Sequence, residues 1–402
     1  MKISIKNAKI SIEDVIMMII VTFTLAFHNY SLALAAIQLV GCFFIYMFEL
    51  SKGKVDKIKY KYALWMFIFI VICASSYMWA TNSTHNVVIT VRSMLQVAMV
   101  GFSIVLYTDS DERINKFIKY IIFGSIILIL RLLIEVPVYA WGTERVGNYI
   151  GYGNNSAPIV LSYAAIITFY FYQQKKKMIN IIESLMFIAF SLLCGSKKAI
   201  IISILGIGML IISKAKNPLQ VVKKIVIVVI IGAIMYISIM KIESLYNVLG
   251  NRVESMILAL TGKTGGDMST LDRMNFAKDA FRVFKMHPIL GVGLDNYRYY
   301  NYMKYYAHNN YLELAADLGI IGLLSYYIMP FHMMFNSFKN KKNNYNFVFI
   351  FIILLVILLI DIANVSFETD SVQLYIAFIY SIYACTLKKQ GGSNNENRIK
   401  SV

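Results

Sequence analysis

Apolar residues arrive along this chain in long runs separated by short polar ones, and the runs predict its architecture. A helix that crosses a bilayer needs about 20 apolar residues. Measured against that length, candidate helices fall near residues 13–28, 30–48, 62–80, 87–107, 117–136, 156–172, 179–194, 199–213, 225–241, 309–331, 347–364 and 371–387. The expected fold is all-α, a polytopic membrane bundle of about twelve transmembrane helices. Residues 242–308 break the rhythm: polar and apolar positions mix there over a stretch long enough for a small subdomain outside the membrane. The expected organisation is therefore 1–241 with nine helices, 242–308 as an extracytoplasmic loop subdomain, 309–387 with three more helices, and a polar cytoplasmic tail at 388–402.

Composition agrees with that pattern. The chain is 58% apolar and only 15% charged, with a mean hydropathy of +0.62, which excludes an ordinary soluble protein. A formal net charge of +17 would suggest nucleic acid as a partner until the placement of the cations is considered. With the N-terminus inside, alternate loops receive Lys52, Lys54, Lys57, Lys59 and Lys61, then Arg113, Lys116 and Lys119, then Lys175, Lys176 and Lys177. Lys214, Lys216, Lys223 and Lys224 follow, then Lys339, Lys341 and Lys342, and the tail from Lys388. That is the bias of cytoplasmic loops, so the basic balance sets topology, N-in and C-in, and nucleic acid drops out. Lys2, Lys6 and Lys9 precede an apolar run that leads straight into another, which reads as a retained helix rather than a cleaved signal. Cys42, Cys73, Cys194 and Cys385 are far apart and show neither a disulfide framework nor zinc spacing.

The cations that topology does not explain carry more information. Arg145 falls in the outer loop at 137–155, Lys197 and Lys198 in a tight outer turn, and several more in 242–308. Arg92 and Arg131 fall inside expected helices towards their outer ends, where a cation costs up to about 3 kcal/mol on insertion scales. Arg131 has Glu135 one turn away as a local partner, whereas Arg92 has none. Together these outward cations suggest a site for an anionic group at the outer membrane face.

Within 242–308, Gly262, Gly265 and Gly266 mark a crossing, and Ser269 with Asp272 has capping-box spacing. Met274, Ala277, Phe281 and Phe284 then recur at helical spacing among polar residues, predicting an amphipathic helix. His287-Pro288 and Gly291-Val292-Gly293 end it with turn chemistry. The tyrosines at 297, 299, 300, 302, 305 and 306 read either as an interfacial aromatic belt or as a surface that binds sugar. Two tempting motifs fail. Gly262-Lys263-Thr264 ends like a phosphate-binding loop, but Ile257 stands where its first glycine belongs; Gly291-Val292-Gly293 lacks a dinucleotide fold's third glycine. Histidines 28, 85, 287, 308 and 332 form no HExxH pair, so no metal site is expected.

The segment from Arg273 to Tyr327 resembles the core of the O-antigen ligase and Wzy-type polysaccharide polymerase family. The matching pattern is an arginine (Arg273), an amphipathic helix, H-P-x-x-G-x-G (His287-Pro288, Gly291, Gly293), then H-N-x-x-L (His308-Asn309, Leu312) and G-x-x-G (Gly319, Gly322). Two shorter pieces extend the likeness: Arg145-Val146-Gly147 through Gly153-Asn154-Asn155-Ser156-Ala157, and the turn Gly195-Ser196-Lys197-Lys198-Ala199. The second departs from the family's G-S-R-G-A, because Lys197 replaces an arginine and loses the bidentate fork that suits phosphate.

The resemblance implies a membrane-embedded, C-type, inverting and metal-independent glycosyltransferase of the bacterial cytoplasmic membrane, with no cofactor. Its donor would be a polyprenyl-diphosphate-linked glycan, with flippase and chain-length regulator proteins as further partners. The implied roles are His308 as catalytic base on the acceptor; Arg273, Lys197, Lys198 and Arg145 as ligands of the donor diphosphate; and Asn309, Asn155, Arg92 and Arg131 in support. His287 reads as structural. The same motifs serve a polymerase, which joins lipid-linked repeat units into O-antigen, capsule or exopolysaccharide. They serve equally a ligase, which moves a finished chain to lipid A core or another acceptor. A lipid-linked glycan flippase is the reading from another class, but it commonly shows internal repeats, and none is evident.

The topology reading is open to a direct check. Cysteines introduced singly at position 267 and at position 341 should differ towards an impermeant thiol reagent in intact cells, with 267 labelled and 341 protected. The reverse pattern would invert the bundle and remove the outer-face chemistry with it.

Overall fold

The computed structural model describes residues 2–5, 8–27, 31–53, 57–261 and 268–399. Gly262, Gly265 and Gly266, the Lys263-Thr264 pair and His28 lie outside these residues, as does the side chain of Ser269. Among the described residues the chain is 81% helical, with 14 helices and nearly no strand, and the all-α polytopic architecture read from the apolar runs holds. A short antiparallel pair, Lys2–Ile5 with Ala8–Ser11, precedes the first helix.

The helices are α1 (Ile12–Ala26), α2 (Leu32–Ser51), α3 (Lys57–Ser75), α4 (Thr84–Tyr107), α5 (Asp111–Glu135), α6 (Ser156–Lys175) and α7 (Met178–Leu193). They continue as α8 (Lys197–Ser213), α9 (Pro218–Lys241), α10 (Asn251–Leu260), α11 (Met268–Met286), α12 (Asn310–Asn340), α13 (Tyr345–Ile360) and α14 (Asp370–Ile399). Each of the apolar runs has become one helix, while α10 and α11 arise in the mixed segment. Among the described residues, six helices are long and apolar enough to cross a membrane (α2, α3, α4, α5, α9 and α12), and α7 and α13 are shorter apolar ones. Several starts are written in the local sequence. Ser83, Asn217, Asn309 and Asn344 each accept a backbone N–H of the first turn through the side chain, and Pro218 opens α9 where its missing N–H costs nothing.

The chain divides into two compact units. One comprises Met1–Ile20, Ala35–Phe117 and Phe276–Val402; the other comprises Val21–Leu34 and Ile118–Asn275. In the first, the Trp65 indole N–H donates to the Ser325 and Tyr326 carbonyls at 2.9 and 3.1 Å, and Phe117 stacks on Phe378 at 4.8 Å. Glu13 and Glu49 take ion pairs from both Lys52 and Arg113, so the starts of α1 and α5 and the end of α2 share one end of this unit. In the second, α6 is buried along most of its length, and Ser162 reaches Ser191 at 2.9 Å and the Ala199 carbonyl at 3.0 Å. By contrast, α9 buries only Ile239 and is apolar on nearly every face, the character of a helix whose solvent is hydrocarbon.

Helix α11 forms as its periodicity predicts, but it packs through a different stripe. Met274 and Phe281 are exposed, whereas Phe276, Ala280 and Val283 are buried. Ala280 and Val283 join Val292, Tyr297, Ala307 and Ala316 in one core. The helix carries two apolar stripes, and spacing alone does not say which one meets the protein.

The central feature of the first unit is a break in α12. Gly319 has φ +63° and ψ −164°, so the helix stops and restarts there. A continuous helix would bond the N–H groups of 320 and 321 to the carbonyls of 316 and 317. Instead the loop 288–293 inserts. The Val292 and Gly293 N–H groups donate to the Ala316 and Asp317 carbonyls at 3.0 and 2.8 Å, and the Ile320 and Ile321 N–H groups donate to the Pro288 and Ile289 carbonyls at 2.9 and 3.4 Å. All four orphaned groups are satisfied, which a membrane protein requires of buried backbone. The approach leaves no room for side chains. A Cβ on Gly291 would lie 2.3 Å from the Asp317 carbonyl group, and one on Gly319 would lie 2.2 Å from the Ile289 oxygen.

Gly291→Ala should therefore combine left-handed strain with a backbone clash, a loss of about 2–4 kcal/mol. Gly53→Ala shares the positive φ but meets nothing within 4 Å and should cost only about 1 kcal/mol. Apparent melting temperatures of the detergent-solubilised variants test the difference, and equal losses would show that the close approach does not matter.

Candidate functional site

The polar residues singled out by sequence gather into two groups, one in each unit. In the second unit they surround the turn between α7 and α8. Gly195 adopts φ +73°, and a Cβ there would lie 2.3 Å from Val248, so the turn presses on the chain just before α10. Arg252, in the first turn of α10, donates through Nη1 to the Gly195 carbonyl at 2.8 Å, and the Lys197 ammonium donates to the Arg252 carbonyl at 3.2 Å. From the loop before α6, the Asn155 Oδ1 accepts from Arg145 Nη2 at 2.7 Å and from the Ser196 hydroxyl at 3.3 Å. Arg145 Nη2 also donates to the Asn154 carbonyl at 2.9 Å. Asn155 thus bridges the arginine loop and the lysine turn.

Lys198 is buried at 7% exposure, and the positive charges of Arg273 and Arg145 both act on it. The Arg273 Nε is buried with no hydrogen-bond partner among the described residues. Arg145, Lys198 and Arg273 therefore gather like charge around a buried amine, an arrangement that repels itself and suits an anion with several oxygens. Lys197 lies on the same turn but is held by the Arg252 carbonyl.

Arg131, in the same unit, is committed differently. Its Nε and Nη2 hold both Glu135 oxygens at 2.7 and 2.9 Å, further donors reach the Ala26 and Ile150 carbonyls, and its guanidinium lies 4.8 Å from the Phe27 ring centre. The local pair suggested by the four-residue spacing is present, and it explains how a cation 5% exposed is tolerated. Arg92 lies exposed on α4 in the first unit.

In the first unit the group centres on the junction before α12. His308 adopts φ +54°, uncommon for a residue with a side chain. Its ring lies 4.1 Å from Tyr306 and 6.0 Å from Phe276, centre to centre. The adjoining residues hold it there. Asn309 Oδ1 accepts the Leu312 N–H at 3.0 Å and caps the helix. The Glu313 carboxylate, 3% exposed, accepts the Ala307 N–H. Asn310 donates its N–H to the Asp361 carbonyl at 2.8 Å, and its side-chain oxygen accepts the Ser366 and Phe367 N–H groups at 2.9 and 3.1 Å.

Asp317 plays the corresponding part for the preceding loop. Its carboxylate accepts the N–H groups of Asp295, Asn296 and Tyr297 at 2.7, 3.1 and 2.7 Å. Asp295 pairs with Arg298; burial pushes its carboxyl above the usual range, against the pull of that guanidinium. His287 is exposed, and its backbone carbonyl, accepting the Gly291 N–H at 3.1 Å, is what joins the turn.

Sequence reasoning missed Arg252, Glu313 and Asp317. Arg252 sits in a stretch with no motif. Asp317 did offer a signal, a carboxylate inside an apolar helix two residues before a glycine.

The fold and these two groups define a multi-pass membrane protein that sets fixed cations, and separately a histidine, at loop–helix junctions. Residues 182–327 match the model of the Wzy_C family, described as O-Antigen ligase. The match supports a membrane enzyme of O-antigen or surface-glycan assembly. The match includes Lys197, Lys198, Arg252, Arg273, His308 and Asn309, and leaves out Arg145, Asn155, Arg92 and Arg131. No curated protein matches the chain.

Arg273→Ala and the double change Lys197→Ala, Lys198→Ala should each lower glycan transfer by about 10–100-fold, the worth of a charge-assisted hydrogen bond or two. Lys197→Arg should keep or raise it. Full activity of the double variant at normal membrane abundance would remove the turn from the site.

Proposed function

We propose that this protein polymerises polyprenyl-diphosphate-linked oligosaccharide repeat units into a surface polysaccharide at the outer face of the bacterial cytoplasmic membrane, with both termini inside and 242–308 outside. The observation that carries the proposal is that one family match spans both the cation turn and the histidine junction. The placement of basic loops supports the sidedness.

The chemistry is an inverting, metal-independent transfer. The acceptor hydroxyl oxygen attacks the anomeric carbon of the donor sugar, a new C–O bond forms on the opposite face, and the bond to the diphosphate breaks. His308 takes the hydroxyl proton, a task suited to imidazole near neutral pH. The diphosphate leaves with its electron pair, and its growing charge is met by Arg273, Lys198, Lys197 and Arg145. Cations fixed before the reaction stabilise that charge without reorganising. Asn155 and Asn309 position their neighbours, as their hydrogen bonds suggest. The family description favours a second reading, a ligase that moves the finished chain to another acceptor.

Two measurements test this. Cells lacking the protein should keep single repeat units attached to their acceptor while losing long chains; long chains retained on the lipid carrier would instead mark a ligase. Purified His308→Ala should bind lipid-linked glycan normally while losing about 10²–10⁴-fold in turnover. Near-normal turnover would overturn the assignment of the base, and lost binding would move His308 to the diphosphate.

A further inference from the structure

The tyrosine run 297–306 does not behave as a uniform belt. Tyr297 is fully buried, and its hydroxyl donates to the Phe276 carbonyl at 2.7 Å. Tyr300 turns back to Thr81, with 2.9 Å between the two hydroxyls. Tyr299, Tyr302 and Tyr305 are exposed at 39, 99 and 51%. The backbone between them is not a loose loop. Asn301, 6% exposed, donates through its amide to the Tyr305 carbonyl at 2.5 Å and accepts the Tyr305 N–H at 3.1 Å. The Lys304 N–H closes the turn on the Asn301 carbonyl at 3.2 Å, with Lys304 itself at φ +54°. A buried amide and a strained residue are thus committed to holding two rings outward.

The rings also lead somewhere. Tyr305 lies 6.2 Å from Phe276, Phe276 lies 6.0 Å from His308, and His308 lies 4.1 Å from Tyr306. The same stretch carries polar groups: the Asp295–Arg298 pair, Lys304 within the turn, and the exposed Arg282, which donates to the Tyr300 carbonyl. Hydrocarbon tails would match such charged surroundings poorly. A pyranose ring would not, since it offers an apolar C–H face to an aromatic ring and a rim of hydroxyls to polar neighbours.

We propose that this turn is a sugar-binding subsite, in which Tyr302 and Tyr305 stack on successive residues of the acceptor glycan and deliver its terminal hydroxyl towards His308. The assignment of the acceptor side rests on the reading of His308 given above, while sugar binding by the turn does not. Ring faces fixed before the ligand arrives reduce the entropy lost on binding.

The test uses the full-length protein in detergent and, as probe, the free oligosaccharide released by mild acid from lipid-linked repeat units of cells lacking the protein. Binding is followed by saturation-transfer NMR and calorimetry. Tyr302→Ala and Tyr305→Ala should each weaken binding by about 3–10-fold, Tyr→Phe at either position should bind nearly as wild type, and Tyr→Leu should not rescue. His308→Ala should bind normally. Unchanged affinity in both alanine variants would overturn the subsite, and so would rescue by leucine, which is the result expected of a membrane anchor. If the tyrosine variants lose binding but His308→Ala keeps its turnover, the subsite stands and the catalytic reading falls.

Discussion

Backbone groups inside a membrane helix must be bonded to something, and the first unit is organised around one place where the helix cannot bond them itself. At Gly319 the carbonyls of Ala316 and Asp317 and the N–H groups of Ile320 and Ile321 lose their helical partners, and the loop 288–293 supplies all four. The loops on the N-terminal side of His308 are arranged around that exchange. It anchors the C-terminal end of α11, whose Ala280 and Val283 pack on Val292. It also brings the 295–297 backbone onto the Asp317 carboxylate. The loop before α4 joins the same assembly, with the Thr81 N–H on the Val292 carbonyl at 3.1 Å and the Asn82 and Ser83 N–H groups on Asn296. A break in a helix is thereby a rigid element, because each freed group has a partner with defined geometry.

The two polar groups solve opposite electrostatic problems. Around Lys198 the chain gathers like charges and holds them with neutral acceptors: the Asn155 amide, the Asn154 carbonyl, and the Gly195 and Arg252 carbonyls that take up Arg252 and Lys197. Neutral acceptors fix the geometry of a cation without cancelling its charge. Arg131 shows the alternative, a bidentate carboxylate partner that neutralises it. Around His308 the supporting groups are buried carboxylates, Glu313 and Asp317, used as acceptors for backbone N–H groups, so they shape the loop rather than present charge.

Much of this was legible in the sequence. Apolar run length placed every bundle helix, since bilayer thickness and helical rise leave little freedom. The four-residue spacing of Arg131 and Glu135 marked their pair. Local rules could not choose between the two stripes of α11, because both have helical period and only the partner surface distinguishes them. They could not separate Tyr297 from Tyr302 either: the two share a residue type and a stretch of chain, yet one is fully buried and the other fully exposed.

What the sequence determined alone is therefore what depends on near neighbours or on a solvent boundary: the apolar helices, the helical period of α11 and the Arg131–Glu135 pair. The tertiary structure decided which carbonyls the 288–293 loop would satisfy, that Arg252 would brace the lysine turn from 57 residues away in sequence, and that Glu313 would hold the backbone before His308. Those contacts join groups whose separation along the chain carries no periodic signal. Only the folded backbone, by leaving specific donors and acceptors without partners, makes them necessary.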